Sequence, residues 1–264
     1  MMDEYSLMEF ADRFKDIRQL ERDYLLVFLL HEVYSTFANE LIFKGGTAIK
    51  YFYNLNRFSE DIDFSYIPSK DIPDRKHLVE RFDKIFDSFS NQYYITGKEY
   101  MTNKSDKEII GMNYVIRVKG PLNQKLDQLQ NIKIDISLRN DIIFKPDLKY
   151  LSPIYPDITT FSLSVMNINE ILAEKIAAII ERTKMRDIYD SHYLLAVRKL
   201  VYDESLVVKK MHKRKEGFSK EELKKKLDEA KNRMKWRSEL AYIVNPLPDN
   251  IRIISELEEY LGLD

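Results

Sequence analysis

The chain has 264 residues and a mass of 31.5 kDa, with 44% hydrophobic and 32% charged residues, a net charge of −1, four histidines and no cysteine. That size allows one large domain or two smaller ones with a real core, and the composition excludes a disordered chain. Without cysteine there is no disulfide, thiolate zinc site or cysteine nucleophile, and four histidines argue against a histidine-rich centre, so a metal site has to be built from carboxylates.

In chain order, the first 40 residues read as two helices, the second with Leu25, Leu26, Phe28, Leu29 and Val33 on its apolar face. It holds the longest unbroken apolar run, YLLVFLL at 24–30, which is too short to span a bilayer and too far in for a signal peptide; a cytoplasmic location is expected. LIFK is a short strand running into Gly45–Gly46, TAIKYFYNL a helix, NRFSE a loop and DIDFSYI an alternating strand. A helix is predicted over 74–90, then strands around QYYITGKEY and GMNYVIRVKG with a polar loop between them. NIKIDISLR alternates Ile132, Ile134, Ile136 and Leu138 with Lys133, Asp135 and Ser137, and FSLSVMNI is a further strand. Asn167 and Glu170 form a capping-box pattern opening a long helix, Ser219 and Glu222 a second, and only helices are expected from about 168 onward. The fold class is therefore α+β: a mixed-sheet core over 1–166 with N-terminal helices, then a helical part over 167–264.

Two features carry chemistry. In DIDFS, period-two geometry sends Asp61, Asp63 and Ser65 to one face and Ile62 and Phe64 to the other, with the two carboxylates about 6–7 Å apart at Cα. Such oxygens can converge on a hard cation such as Mg2+, although an Asp-x-Asp alone is more often a solvated strand edge. Two of the chain's seven glycines stand together at 45 and 46. At a strand-to-helix turn they let a phosphate approach the backbone and the free N–H groups of the helix start, with the Thr47 hydroxyl as a further donor; a plain tight turn is the alternative. Lys175 projects from a stripe of Ile171, Leu172, Ala178 and Ile179, so it either meets an anion or forms a buried pair with an aspartate. Asp187 and Asp190, three apart, share a helix face. Arg57, Ser59 and Ser65 flank the acidic strand, and Tyr189 and His192 suit core or capping roles. Residues 209–237 hold 13 Lys and Arg against 5 Asp and Glu, a local +8 that suggests a phosphate-rich partner or a solvated helix.

GGTAIKYFYNLNRFSEDIDF, residues 45–64, resembles the nucleotidyltransferase superfamily that shares its core with DNA polymerase β, with a spacer somewhat longer than the minimal pattern. Within it the chain is similar to the AbiEii branch, toxins of type IV toxin–antitoxin and abortive-infection systems, to which MenT-type tRNA-modifying toxins are similar. LERDYLL matches that family's first helix, KIDIS its third acidic strand, and NEILAEKIAAIIER with TKMRDIYD its last two motifs, including Lys175, Arg186, Asp187 and Asp190. Ile49 stands where the family usually has leucine.

The resemblance implies a polymerase-β-like core, completed by the helical part, that acts as a Mg2+-dependent (or Mn2+-dependent) NTP:acceptor nucleotidyltransferase. It carries metal ligation to Asp61, Asp63 and Asp135, catalytic roles to these and to Lys175 and Asp187, and nucleotide binding to Gly45, Gly46, Thr47, Arg57, Ser59 and Lys175. It further implies a growth-arresting toxin with a separately encoded antitoxin, acting on a tRNA 3′ end; the charge of 209–237 adds the expectation that the RNA binds across that segment. A protein hydroxyl, a small molecule, or a non-catalytic nucleotide- or RNA-binding role are the alternatives.

Overall fold

The computed structural model describes residues 2–67, 75–91, 94–105 and 108–263. The expected helix start at 74 and the first two residues of the QYYITGKEY strand lie outside them. Contacts divide the chain into two units: residues 1–47, 60–140 and 146–165, and residues 48–59, 141–145 and 166–264. Where the sequence reading drew one boundary after 166, segments 48–59 and 141–145 thus belong with the helices.

In the first unit, α1 (Glu4–Met8) and a 3-10 turn (Ala11–Arg13) lead into α2 (Ile17–Phe37), β1 (Leu41–Lys44) and α3 (Gly45–Tyr53), which runs on into the second unit. Then come β2 (Asp61–Tyr66), α4 (Arg75–Ser90), β3 (Tyr94–Ser105), β4 (Glu108–Lys119), α5 (Asn123–Leu126), β5 (Gln130–Ser137), β6 (Asp147–Leu151) and β7 (Phe161–Val165). The seven strands form one mixed sheet in the order β3-β4-β5-β2-β1-β7-β6, parallel at β2–β5 and β1–β7 and antiparallel elsewhere.

Asp16 starts α2 by accepting from the Gln19 N–H at 2.9 Å, and the buried side of the helix lies against the sheet. Ile62, Phe64, Ile134 and Ile136 are buried on that face. Phe82 and Phe86 of α4 meet Tyr114 at ring distances of 5.0 and 5.2 Å, and Phe37 meets Phe82 at 4.9 Å. Each such ring contributes about 1.5–3 kcal/mol by leaving water. With the apolar residues of β2, β4 and β5 held beneath by α2 and α4, their alternate residues are turned to the other face. That is what brings the acidic positions to one side.

Two expectations need correction here. The polar stretch between the β3 and β4 candidates is mostly strand: the ladder pairs Tyr94 with Lys119 and continues to Ser105 opposite Glu108. Strand β6 was not anticipated, because DLKYL is short and leaves Leu148 and Tyr150 exposed, so no buried alternation marks it.

The second unit contains α6 (Ile168–Arg182), α7 (Met185–His192), a π-helical turn (Tyr193–Val197), α8 (Glu204–Lys213), α9 (Lys220–Ala230), α10 (Arg233–Leu240) and α11 (Asn250–Leu261). Ser219 caps α9 as its sequence predicts, accepting from Glu222 N–H at 3.2 Å. Asn167 caps α6 through Asn169 N–H at 3.0 Å, but Glu170 does not complete a box. It is buried, accepting from the N–H groups of Ile143 (2.9 Å) and Phe144 (3.0 Å) and pairing with Lys210 at 2.8 Å. Among the described residues, no helix is long and apolar enough to cross a membrane.

Candidate functional site

The first unit assembles the acidic face through strand register. In the parallel β2–β5 pair, Asp63 lies opposite Asp135 and Asp61 opposite Lys133. Parallel neighbours about 4.8 Å apart point to the same face, so the three aspartates share it. Asn113 of β4 is next in the row, opposite Asp135, with its side-chain amide against Asp135 Oδ1. On the other oxygen, Oδ2, Asp135 meets Lys133 Nζ at 2.7 Å.

Gly45 has φ +74°, in the left-handed region. A Cβ built there would lie 2.8 Å from Asp63 Cγ and 3.0 Å from its Cβ. Glycine is therefore required twice over, once for the backbone and once for the approach of the carboxylate. Its neighbour Thr47 is buried, and its hydroxyl donates to the backbone carbonyl of Asp61 rather than facing outward. The turn and the acidic strand are thus tied at two points.

Aspartates alone supply hard oxygen donors, the chemistry that suits Mg2+ or Mn2+. The register of Asp63 with Asp135 fits shared ligation. Among the described residues, no three acidic or histidine side chains are yet drawn together around one point.

The second unit gathers Arg57, Lys175, Asp187 and Asp190. Arg57, expected near phosphate, is buried with a side chain 3% exposed; Nε and Nη2 donate to the two oxygens of Asp190 at 2.6 and 2.7 Å, and Nη1 donates to Phe58 O at 2.8 Å. Lys175 Nζ lies 2.9 Å from Asp187 Oδ1 and 2.7 Å from Asp190 Oδ2. Arg182 closes the chain of charges with Nε 2.9 Å from Asp187 Oδ2. Burial is the largest single influence on each ionisation and opposes the charged form, but the opposite charges together outweigh it. Asp187 and Asp190 are consequently held well below the usual carboxylate range, and Lys175 and Arg57 are raised above their ordinary values. Ser59 is buried, and His192 Nε2 lies 2.6 Å from Glu256 Oε2.

The loop after α3 is held by Tyr193, which no sequence feature singles out, and by Tyr189, expected in a core or capping role. The Tyr193 hydroxyl lies 2.9 Å from Tyr53 O and 2.6 Å from Asn54 O, and Tyr189 OH donates to Asn56 O at 3.1 Å. Tyr193 opens the π turn, and such turns recur at functional sites. No local signal marks it, since the partners are about 140 positions away in sequence.

The family model for the nucleotidyl transferase AbiEii toxin of type IV toxin–antitoxin systems matches residues 27–262. The chain belongs to the AbiEii family. It is accordingly a nucleotidyltransferase, which implies an NTP substrate and an antitoxin partner. Nucleotidyltransferases of this kind generally use a divalent metal. No curated protein matches the sequence. Among solved structures, MenT4, a nucleotidyltransferase toxin from Mycobacterium tuberculosis, is similar at TM-score 0.66 and 19% identity, over 100% of this chain and 91% of that one. JHP933 from Helicobacter pylori is similar at TM-score 0.52 and 21% identity, over 93% and 90%. At these identities the likeness shows the fold.

The basic segment of this AbiEii-family chain is far less available than its composition suggests. Lys210 is fully buried among Glu170 (2.8 Å), Glu174 (3.0 Å) and Asp141 (3.7 Å), and Arg214 bridges Asp141, Glu174 and Glu181. Lys220 pairs with Glu204, Lys226 with Glu229, and Lys231 with Asp228 and Glu258. Lys224 and Lys235 donate to the carbonyls of Leu263 and Thr183. These seven of the segment's thirteen cations are therefore engaged by carboxylates or carbonyls.

Proposed function

We propose that this AbiEii-family protein transfers a nucleoside monophosphate from an NTP to a tRNA 3′ end with Mg2+, the effect of which is growth arrest until its antitoxin intervenes. The observation that carries the reading is the in-register pair Asp63 and Asp135 with Gly45 pressed against Asp63. That places carboxylates beside a helix start suited to phosphate.

In this reading Gly45, Gly46 and Thr47, at the start of α3, hold the β- and γ-phosphates and leave the α-phosphate by the acidic row. Asp61, Asp63 and Asp135 would hold Mg2+, which supplies charge neutralisation at the attacking and leaving oxygens. Asp135 takes the proton of the acceptor hydroxyl as its oxygen bonds to the α-phosphorus and pyrophosphate departs. Lys133 and the Asn113 amide orient that carboxylate. Positioning and fixed charge supply most of the acceleration, as in phosphoryl transfer generally. Lys175 has three N–H donors, two directed at Asp187 and Asp190; we assign the third to an anionic oxygen of the triphosphate, with Asp187 as its positioning residue. Arg57 and Ser59 contribute from buried positions, by fixing the loop ahead of β2 rather than by an open face.

The test is incubation of the purified chain with each α-labelled NTP and total cellular RNA or protein. Label in tRNA, lost in Asp63→Asn and Asp135→Asn variants that melt normally, is the expected result. Label in protein instead would replace the acceptor, and unaffected transfer by either variant would overturn the acidic assignment.

A further inference from the structure

The face that carries the aspartates does not stop at Asp135. Strand register continues it across β4 and β3: Asp135 faces Asn113, and Asn113 faces Met101, so the row extends about 10 Å beyond Asp135 at about 4.8 Å per strand. Along β4, residues of the same parity are Gly111, Val115, Arg117 and Lys119. On β3 the register sets Asn103 opposite Gly111, Glu99 opposite Val115 and Tyr94 opposite Lys119. The buried face of this hairpin is taken by α4, through Phe82 and Phe86 on Tyr114. The aspartate side is open: Tyr94 is 65% and Met101 51% exposed, and Asn103, Arg117 and Lys119 are exposed as well.

We propose that this β4–β3 face is the track on which the single-stranded end of the RNA acceptor lies as it runs to Asp135, an assignment that rests on the RNA-acceptor reading above. The occupant follows from the chemistry. Arg117 and Lys119, with Lys133 beside Asp135, complement a phosphodiester backbone. Lys119 Nζ sits 5.6 Å from the centroid of the Tyr94 ring, which joins a cation to an exposed aromatic surface of the kind on which bases stack. Asn103, whose amide pairs with that of Asn113 at 3.2 and 3.4 Å, keeps a second N–H and a second lone pair for a base edge. Glycine at 111 brings the strand surface close, since a Cβ there would lie 3.3 Å from Asn103 Nδ2. An acidic peptide would meet Arg117 and Lys119 but would gain little from the Tyr94 face or the asparagines.

The probe is a fluorescein-labelled single-stranded RNA of about 12 nucleotides, within the range one such surface holds, titrated against the full chain at several salt concentrations. An Arg117→Gln/Lys119→Gln variant is expected to bind about tenfold more weakly, with a log–log salt slope shallower by about 1.4, two phosphate contacts at about 0.7 each. Tyr94→Ala is expected to lose about fivefold or more with its slope unchanged, the mark of a lost stack. All these positions are exposed, and NTP binding, expected unchanged in each variant, checks the fold. Wild-type affinity and slope in the face variants would overturn the track while leaving an RNA acceptor standing. So would a loss confined to a Lys224, Lys225, Lys226 and Arg233 to Gln variant. Failure of the unmodified chain to bind RNA at all would overturn both the track and the acceptor reading.

Discussion

Gly45 is the residue on which the acidic row depends most narrowly. Alanine there meets a left-handed backbone costing about 1–2 kcal/mol and a Cβ that collides with Asp63. Asparagine tolerates the backbone but carries the same Cβ, so the two penalties separate. Gly45→Asn is expected to lose less melting stability than Gly45→Ala and still lose at least about a hundredfold in transfer, as displacements of about 1 Å do; steady-state transfer with α-labelled NTP alongside thermal melting reads both. In the second unit, Asp190 neutralises two buried cations at once, whereas Lys175 leaves each of its aspartates another partner, Arg182 for Asp187 and Arg57 for Asp190. Asp190→Asn is therefore expected to cost about 3–5 kcal/mol and Lys175→Met roughly half that, in urea unfolding. The pH dependence follows from the same shifts. Asp187 and Asp190 have folded values below the ordinary 3.8, so their contribution is present above that pH and is lost as pH falls further. Lys175 is raised, so its contribution is complete below 10.5 and is lost as pH rises past its folded value. Unfolding free energy should hold a plateau between those limits, and the acid loss should shrink in Asp190→Asn.

At the scale of elements, the loop between α3 and β2 is held by two segments from much later in the chain, the π turn and the turn after α10. Phe58 N–H donates to Ile243 O at 2.7 Å, and Tyr193 reaches the carbonyls of Tyr53 and Asn54. Removing that hydroxyl leaves buried carbonyls short of a donor, so Tyr193→Phe is expected to cost about 1–2 kcal/mol. It should also speed amide exchange at Leu55 and Phe58 before it affects the sheet; uniform exchange throughout would mean that the π turn does not act on this loop. The capping patterns show what an element's own sequence can and cannot announce. Ser219 caps α9 because the bond is local, three residues long. Glu170 stands in the same pattern yet serves Lys210 and the 141–145 backbone, because a fully buried lysine and two backbone N–H groups gain more from its carboxylate than an exposed cap does.

For the molecule as a whole, charge distribution after folding differs from charge distribution along the chain. Replacing Lys224, Lys225, Lys226 and Arg233 by Gln is expected to change the RNA salt slope by less than about 0.7, the share of one phosphate contact. A larger change would return the acceptor to α9 and α10. The sequence by itself determined the α+β order, the strand-to-helix glycine turn, the alternation of Asp61, Asp63 and Asp135, and the family, because each is a pattern of period, spacing or local motif. Tertiary structure alone decided the partners: Asp63 across from Asp135, Gly45 against Asp63, Arg57 turned inward to Asp190, Lys175 between two aspartates. It also extended β3 and β4 toward each other and drew the basic segment's cations onto anions from α6 and the 141–145 segment. The physical reason is that periodicity is a property of one segment, whereas the partner of a buried charge is whichever opposite charge the packing delivers within about 3 Å, and that partner lies tens to more than a hundred residues away.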